Sequence, residues 1–124
     1  MVWQACARFP ALDAGVAWYG RLAPAANATD EQKTAGRPWP VDLAADLKAP
    51  VLGLYGGQDG GIPIASVEAM RAGLAAAGKT DSQIILYDDA PHGFHADYRA
   101  SYREADAKDG WRRLLGLFEQ RLKR

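Results

Sequence analysis

A chain of 124 residues is long enough for one domain with a real core. Its 15 Lys+Arg residues balance its 15 Asp+Glu residues, and a net charge of zero argues against binding nucleic acid or an anionic membrane surface. No apolar run approaches the roughly 20 residues that span a bilayer, and the first residues lack the basic and apolar regions of a secretory signal. One cysteine forms no intrachain disulfide, so a cytoplasmic protein is expected.

In chain order, residues 1–9 read as a helix, with Val2, Ala5, Cys6 and Phe9 at helical spacing and Pro10 ending the run. Residues 14–20, Ala-Gly-Val-Ala-Trp-Tyr-Gly, form a short buried-strand pattern. Residues 21–40 read as irregular, punctuated by Pro24, Asn27, Gly36, Pro38 and Pro40. Val41 to Leu47 allows one or two helical turns. Val51 to Tyr55 and Gln83 to Tyr87 are continuous apolar runs, expected of strands buried on both faces. Between them, residues 64–77 present Val67, Met70 and Leu74 on one helix face, closed by Gly78. Residues 103–122 give the clearest helix, with Ala107, Trp111, Leu114, Leu115, Phe118 and Leu122 in one stripe. Strands alternating with helices predict an α/β fold: about three parallel strands flanked by helices.

Two stretches carry chemistry. The apolar run 51–55 opens into Gly56-Gly57-Gln58-Asp59-Gly60-Gly61, and the run 84–87 leads to Pro91-His92-Gly93-Phe94. An acid followed by a histidine, each just past the carboxyl end of a strand, follows the order of the last two members of a Ser/Cys…Asp…His triad. Alone, Asp59 reads as a turn aspartate bonding its own backbone, and His92 as a solvated loop histidine. Together, at this spacing, they read as an acid that orients an imidazole and a base that removes a proton from a thiol or hydroxyl. A nucleophile should precede them, yet no Gly-x-Ser-x-Gly or Gly-x-Cys-x-Gly occurs in these residues.

The chain resembles the C-terminal half of the dienelactone hydrolase (carboxymethylenebutenolidase-like) family. The resemblance runs over nearly the whole chain. It rests on Val16-Ala17-Trp18-Tyr19-Gly20, on Ala49-Pro50-Val51-Leu52-Gly53-Leu54-Tyr55-Gly56 with Asp59 and Ile62-Pro63, and on Pro91-His92-Gly93-Phe94. The tail Tyr98-Arg99-Ala100-Ser101-Tyr102, leading into Ala107-Lys108-Asp109-Gly110-Trp111, fits as well. The resemblance implies a truncated α/β-hydrolase fold, with Asp59 at the position of the triad acid and His92 at that of the base. It also implies a cysteine nucleophile in a Gly-x-Cys-x-Gly-Gly elbow just before the opening helix. Residue 1 then falls a few positions past that elbow. The chain therefore reads either as a segment starting at an internal methionine or as a self-standing short protein. Some family members bind a substrate carboxylate with an arginine four residues after the histidine. Here that position is Ala96, and Arg99 stands nearby but out of register.

The remaining reactive residues read as structural. Cys6 sits on an apolar helix face without flanking glycines, so it reads as a small buried hydrophobe rather than a nucleophile. Ser66, Ser82 and Ser101 lack an elbow, and Ser66 suits a helix start. His92, His95 and Asp97 match a metal site only loosely. Glu68, Arg71, Glu104 and Arg112-Arg113 read as solvated helix faces, and Trp18, Tyr55 and Trp111 as core or interface. No cofactor is expected. Three functional expectations stay open: an ester or lactone hydrolase whose nucleophile comes from outside these residues, a catalytically silent hydrolase-like domain, and a small-molecule binding module. Because the strand at 14–20 lacks a neighbour, a homo-oligomer formed through it and the helix at 1–9 is also expected.

Overall fold

A computed structural model describes residues 2–24, 29–35 and 38–122. Along the chain come α1 (Val2–Arg8), β1 (Gly15–Trp18), α2 (Asp30–Ala35), β2 (Val51–Gly56), α3 (Ile64–Ala76), β3 (Gln83–Tyr87) and α4 (Glu104–Leu122). Two 3-10 turns, Pro40–Asp42 and Ala44–Asp46, occupy the stretch where one or two helical turns were predicted. The strands form one parallel sheet in the order β1-β2-β3, as the alternation of elements required. Gly15 and Trp18 of β1 lie opposite Val51 and Leu54, and Gly56 lies opposite Tyr87. The carboxyl ends of the strands thus line one edge of the sheet, and the loops that leave them converge there.

Two cores sandwich the sheet. On one face, Trp3 and Cys6 of α1 and Val67, Met70 and Leu74 of α3 close over Val51, Tyr55 and Ile84. Wholly buried Tyr55 ties three elements together. The Trp3 indole N–H donates to its hydroxyl at 3.0 Å, and that hydroxyl donates to the Gly20 carbonyl at 2.7 Å. On the other face, Leu52 and Leu54 pack with Ala90 and Phe94, flanked by half-buried Trp18 and by Leu117 of α4. The Trp18 ring meets α4 at Gly110, where a Cβ would come within 2.7 Å of it. The end of α3 is a Schellman turn. Gly78 takes φ +71°, its N–H reaches the Ala75 carbonyl, and the Lys79 N–H reaches that of Leu74.

Five sequence expectations need correction. First, the stretch at 21–40 holds α2, whose start is a capping box: the Thr29 hydroxyl accepts the Gln32 N–H, and the Gln32 side chain accepts the Thr29 N–H. Its positions 25–28 and 36–37 lie outside the described residues. Second, β2 is buried throughout, whereas in β3 only Ile84 is, because β3 is an edge strand. Third, α1 ends at Arg8, which leaves Phe9 56% exposed instead of on the apolar face. Fourth, of the α4 stripe only Ala107 and Leu114 are buried, while Trp111, Leu115 and Leu122 are exposed. Fifth, Arg71, read as solvated, is half-buried and donates to the Ile84 carbonyl at 2.9 Å.

Candidate active site

The loops after β2 and β3 nest against each other through main-chain bonds. The Gly57 N–H donates to the Tyr87 carbonyl at 2.8 Å, and the Gln58 N–H to that of Ala90 at 3.0 Å. This approach requires glycine. A Cβ at Gly56 would stand 2.1 Å from the Ala90 oxygen, and one at Gly57 would stand 2.6 Å from the Asp88 oxygen. The glycines that marked the first motif therefore let the two loops touch.

Nesting brings the two expected site residues together. Oδ2 of Asp59 lies 2.5 Å from Nδ1 of His92, and Oδ1 accepts the Gly61 N–H at 2.9 Å. The Asp59 side chain is 2% exposed, whereas that of His92 is 50% exposed. A buried carboxylate with both oxygens engaged is fixed in orientation and in turn fixes the ring. With Nδ1–H donating to the carboxylate, the lone pair of Nε2 remains to accept a proton. The pair can thus draw a proton from a group on the open side of His92.

The end of β1 adds a residue that sequence reasoning missed. Tyr19 follows Trp18 in the left-handed region at φ 40°, where a non-glycine residue is strained by about 1–3 kcal/mol. Its N–H donates to the Leu54 carbonyl at 2.8 Å. Its ring meets His92 edge-on, with centroids 4.9 Å apart, and Phe94 at 5.5 Å. Burial pushes its phenol above the ordinary value, with the Arg99 guanidinium pulling the other way. No motif signals this role, because a positive φ at tyrosine has no compositional mark.

The other candidates lie elsewhere. Cys6 is buried against Gly15 at the amino end of β1, the edge opposite His92, and burial pushes its thiol up. Ser66 bonds the Pro63 carbonyl in the first turn of α3, and buried Ser82 accepts the Val51 N–H. The Ser101 hydroxyl points to the Gly93 carbonyl. Among the described residues no group of three side chains could hold a metal ion, and His95 stacks on Trp18, with centroids 4.0 Å apart. Ala96 sits in the turn after Gly93, while the Arg99 side chain packs against Gly93 and over the ring of Tyr98. Among the described residues, no helix is long and apolar enough to cross a membrane.

The model of the dienelactone hydrolase family matches residues 1–122. A relative from Methylorubrum extorquens, provisionally named a carboxymethylenebutenolidase, is 52% identical over 120 residues. One of the same provisional name from Escherichia coli K12 is 50% identical over 120 residues. Both alignments take in 97% of this chain, yet the chain spans only 39% and 42% of those relatives. A crystal structure from Klebsiella pneumoniae, provisionally named a dienelactone hydrolase, shares 48% identity at a TM-score of 0.84. That match covers 96% of this chain and 47% of the other. Pyrococcus horikoshii acylaminoacyl peptidase, at 16% identity and a TM-score of 0.72, shares the fold; the match covers 94% of this chain and 21% of that one.

Proposed function

The chain belongs to the dienelactone hydrolase family, and on that premise we propose that Asp59 and His92 are the acid and base of a triad that hydrolyses a carboxylic ester or lactone. The observation that carries this reading is the 2.5 Å contact between a buried carboxylate and the Nδ1 of a half-open imidazole. In the proposed reaction, Nε2 of His92 takes the proton of a thiol or hydroxyl as that group attacks the ester carbonyl. Asp59 stabilises the resulting imidazolium. His92 then protonates the leaving alcohol, and water, activated by the same nitrogen, releases the acid from the acyl-enzyme. The nucleophile comes from residues outside these 124, since Cys6 is sealed at the wrong edge of the sheet.

By itself, then, the chain is the silent half of the machine. An aryl acetate assay tests this in two arms: the chain alone, and the chain joined to a segment carrying a Gly-x-Cys-x-Gly-Gly elbow. Turnover is expected only in the second arm, and only with His92 intact. Turnover by the chain alone that vanishes in Cys6→Ala would overturn the assignment. The outer edge of β1, which among the described residues has a strand neighbour on one side only, together with α1 beside it, is the proposed association surface for a second copy. Light scattering at high micromolar concentration tests that part, and a monomer of 13.4 kDa would refute it.

A further inference from the structure

Beside the acid–base pair lies a cleft of about 600 Å³, within the range that holds a small organic molecule. Tyr19 forms part of its wall and also touches His92, so a single shared side chain joins the cleft to the candidate base. Its other walls are largely aromatic: Tyr98, Tyr102 and Trp111, with His95 among them. His95 serves there as a ring rather than as a polar anchor. It stacks on Trp18 at 4.0 Å with 20° between planes, and runs nearly parallel to Trp111 at 6.0 Å and 13°. Its Nδ1 is buried with no hydrogen-bond partner among the described residues.

Two of these rings are held open to solvent. Tyr98 is 83% exposed and Trp111 49% exposed, at a site where the fold gains nothing from showing them. The charges around the cleft cancel. Asp97 and Lys108 line it, Lys108 is held by Glu104 at 2.6 Å, and Arg99 lies over Tyr98 at 5.9 Å. Two cations against two carboxylates leave no excess positive charge to draw an anion, whereas the rings offer stacking surface to a flat group.

We propose that this cleft binds a flat, uncharged aromatic group, which makes the substrate class of the Asp59–His92 site an ester bearing a neutral aromatic ring. The proposal rests on the acid–base reading for its catalytic part but not for its binding part.

Titrating the chain with 2-acetylnaphthalene, a neutral aryl ketone, while following backbone amide and indole N–H signals by NMR tests it. Saturable shifts are expected at the Trp111 indole and around Tyr102, with weaker binding of 2-naphthoate and of cyclohexyl methyl ketone. Trp111→Ala and Tyr98→Ala should each weaken binding about three- to tenfold, the factor worth of one aromatic contact. Tyr98 is exposed, so its loss does not put folding at risk. His92→Ala should bind the ketone as the parent chain does. Absence of saturable shifts, tighter binding of the naphthoate, or affinity indifferent to both aromatic substitutions would each overturn the proposal. Binding that persists while the complemented protein fails to hydrolyse would sink the acid–base reading instead.

Discussion

The two faces of the sheet are built on different principles. Under α1 and α3, apolar side chains interlock and the buried phenol of Tyr55 has both a donor and an acceptor partner. Under α4 the contacts are aromatic and half-open: Trp18, Tyr19 and Trp111 keep an edge in solvent, and His95 lies stacked among them. The first face is closed by packing, while the second leaves aromatic surface in solvent. The candidate pair sits where the two meet, with Asp59 buried and His92 reaching toward the open side.

The largest effect should come from the base. In the chain complemented with a nucleophile, His92→Ala should lower kcat about 10²–10⁴-fold with little change in the thermal midpoint, as is typical for loss of a general base. A comparable fall in stability would mean that His92 belongs to the closed face. Next in size is the closed core. Met70→Ala should cost about 2–5 kcal/mol in urea unfolding, because Met70 is wholly buried. Leu115→Ala on the exposed part of α4 should stay within about 0.5 kcal/mol. Equal costs would erase the contrast between the faces.

A smaller loss, about 1–3 kcal/mol, is expected of Tyr55→Phe, which leaves the Trp3 N–H and the Gly20 carbonyl without their partner. The smallest effect lies on the open face. Bonds from Arg113 and the Tyr87 hydroxyl hold the Asp109 carboxyl down at about 2. A depressed carboxyl contributes stability above its unfolded value near 3.8 and loses it as pH falls toward 2. Asp109→Asn should therefore flatten the acid limb of the stability curve between about pH 4 and pH 2, and cost about 1 kcal/mol at neutral pH.

What the sequence disclosed follows from the range of the forces involved. The helices at α1, α3 and α4 and the strands were legible because helical spacing and continuous apolar runs are local signals. Asp59 and His92 were legible because each ends such a run in a glycine-bearing loop. The short α2 was missed although its Thr29-x-x-Gln32 box was present, overshadowed by the surrounding prolines and glycines. The α4 stripe was read correctly as apolar, but periodicity marks a face without saying what covers it, and Trp111 is left half-open. Tyr19 and the stacked His95 depend on backbone strain and ring contacts between distant segments, which no spacing encodes.

The central claim is that Asp59 orients His92 through Nδ1. Nitrogen-15 NMR of the imidazole measures this directly, because the two neutral tautomers give distinct ring-nitrogen shifts. His92 in the parent chain should show the Nδ1–H tautomer, which should give way to an exchanging mixture in Asp59→Ala. An Nε2–H tautomer in the parent chain, or spectra that Asp59→Ala leaves unchanged, would contradict it.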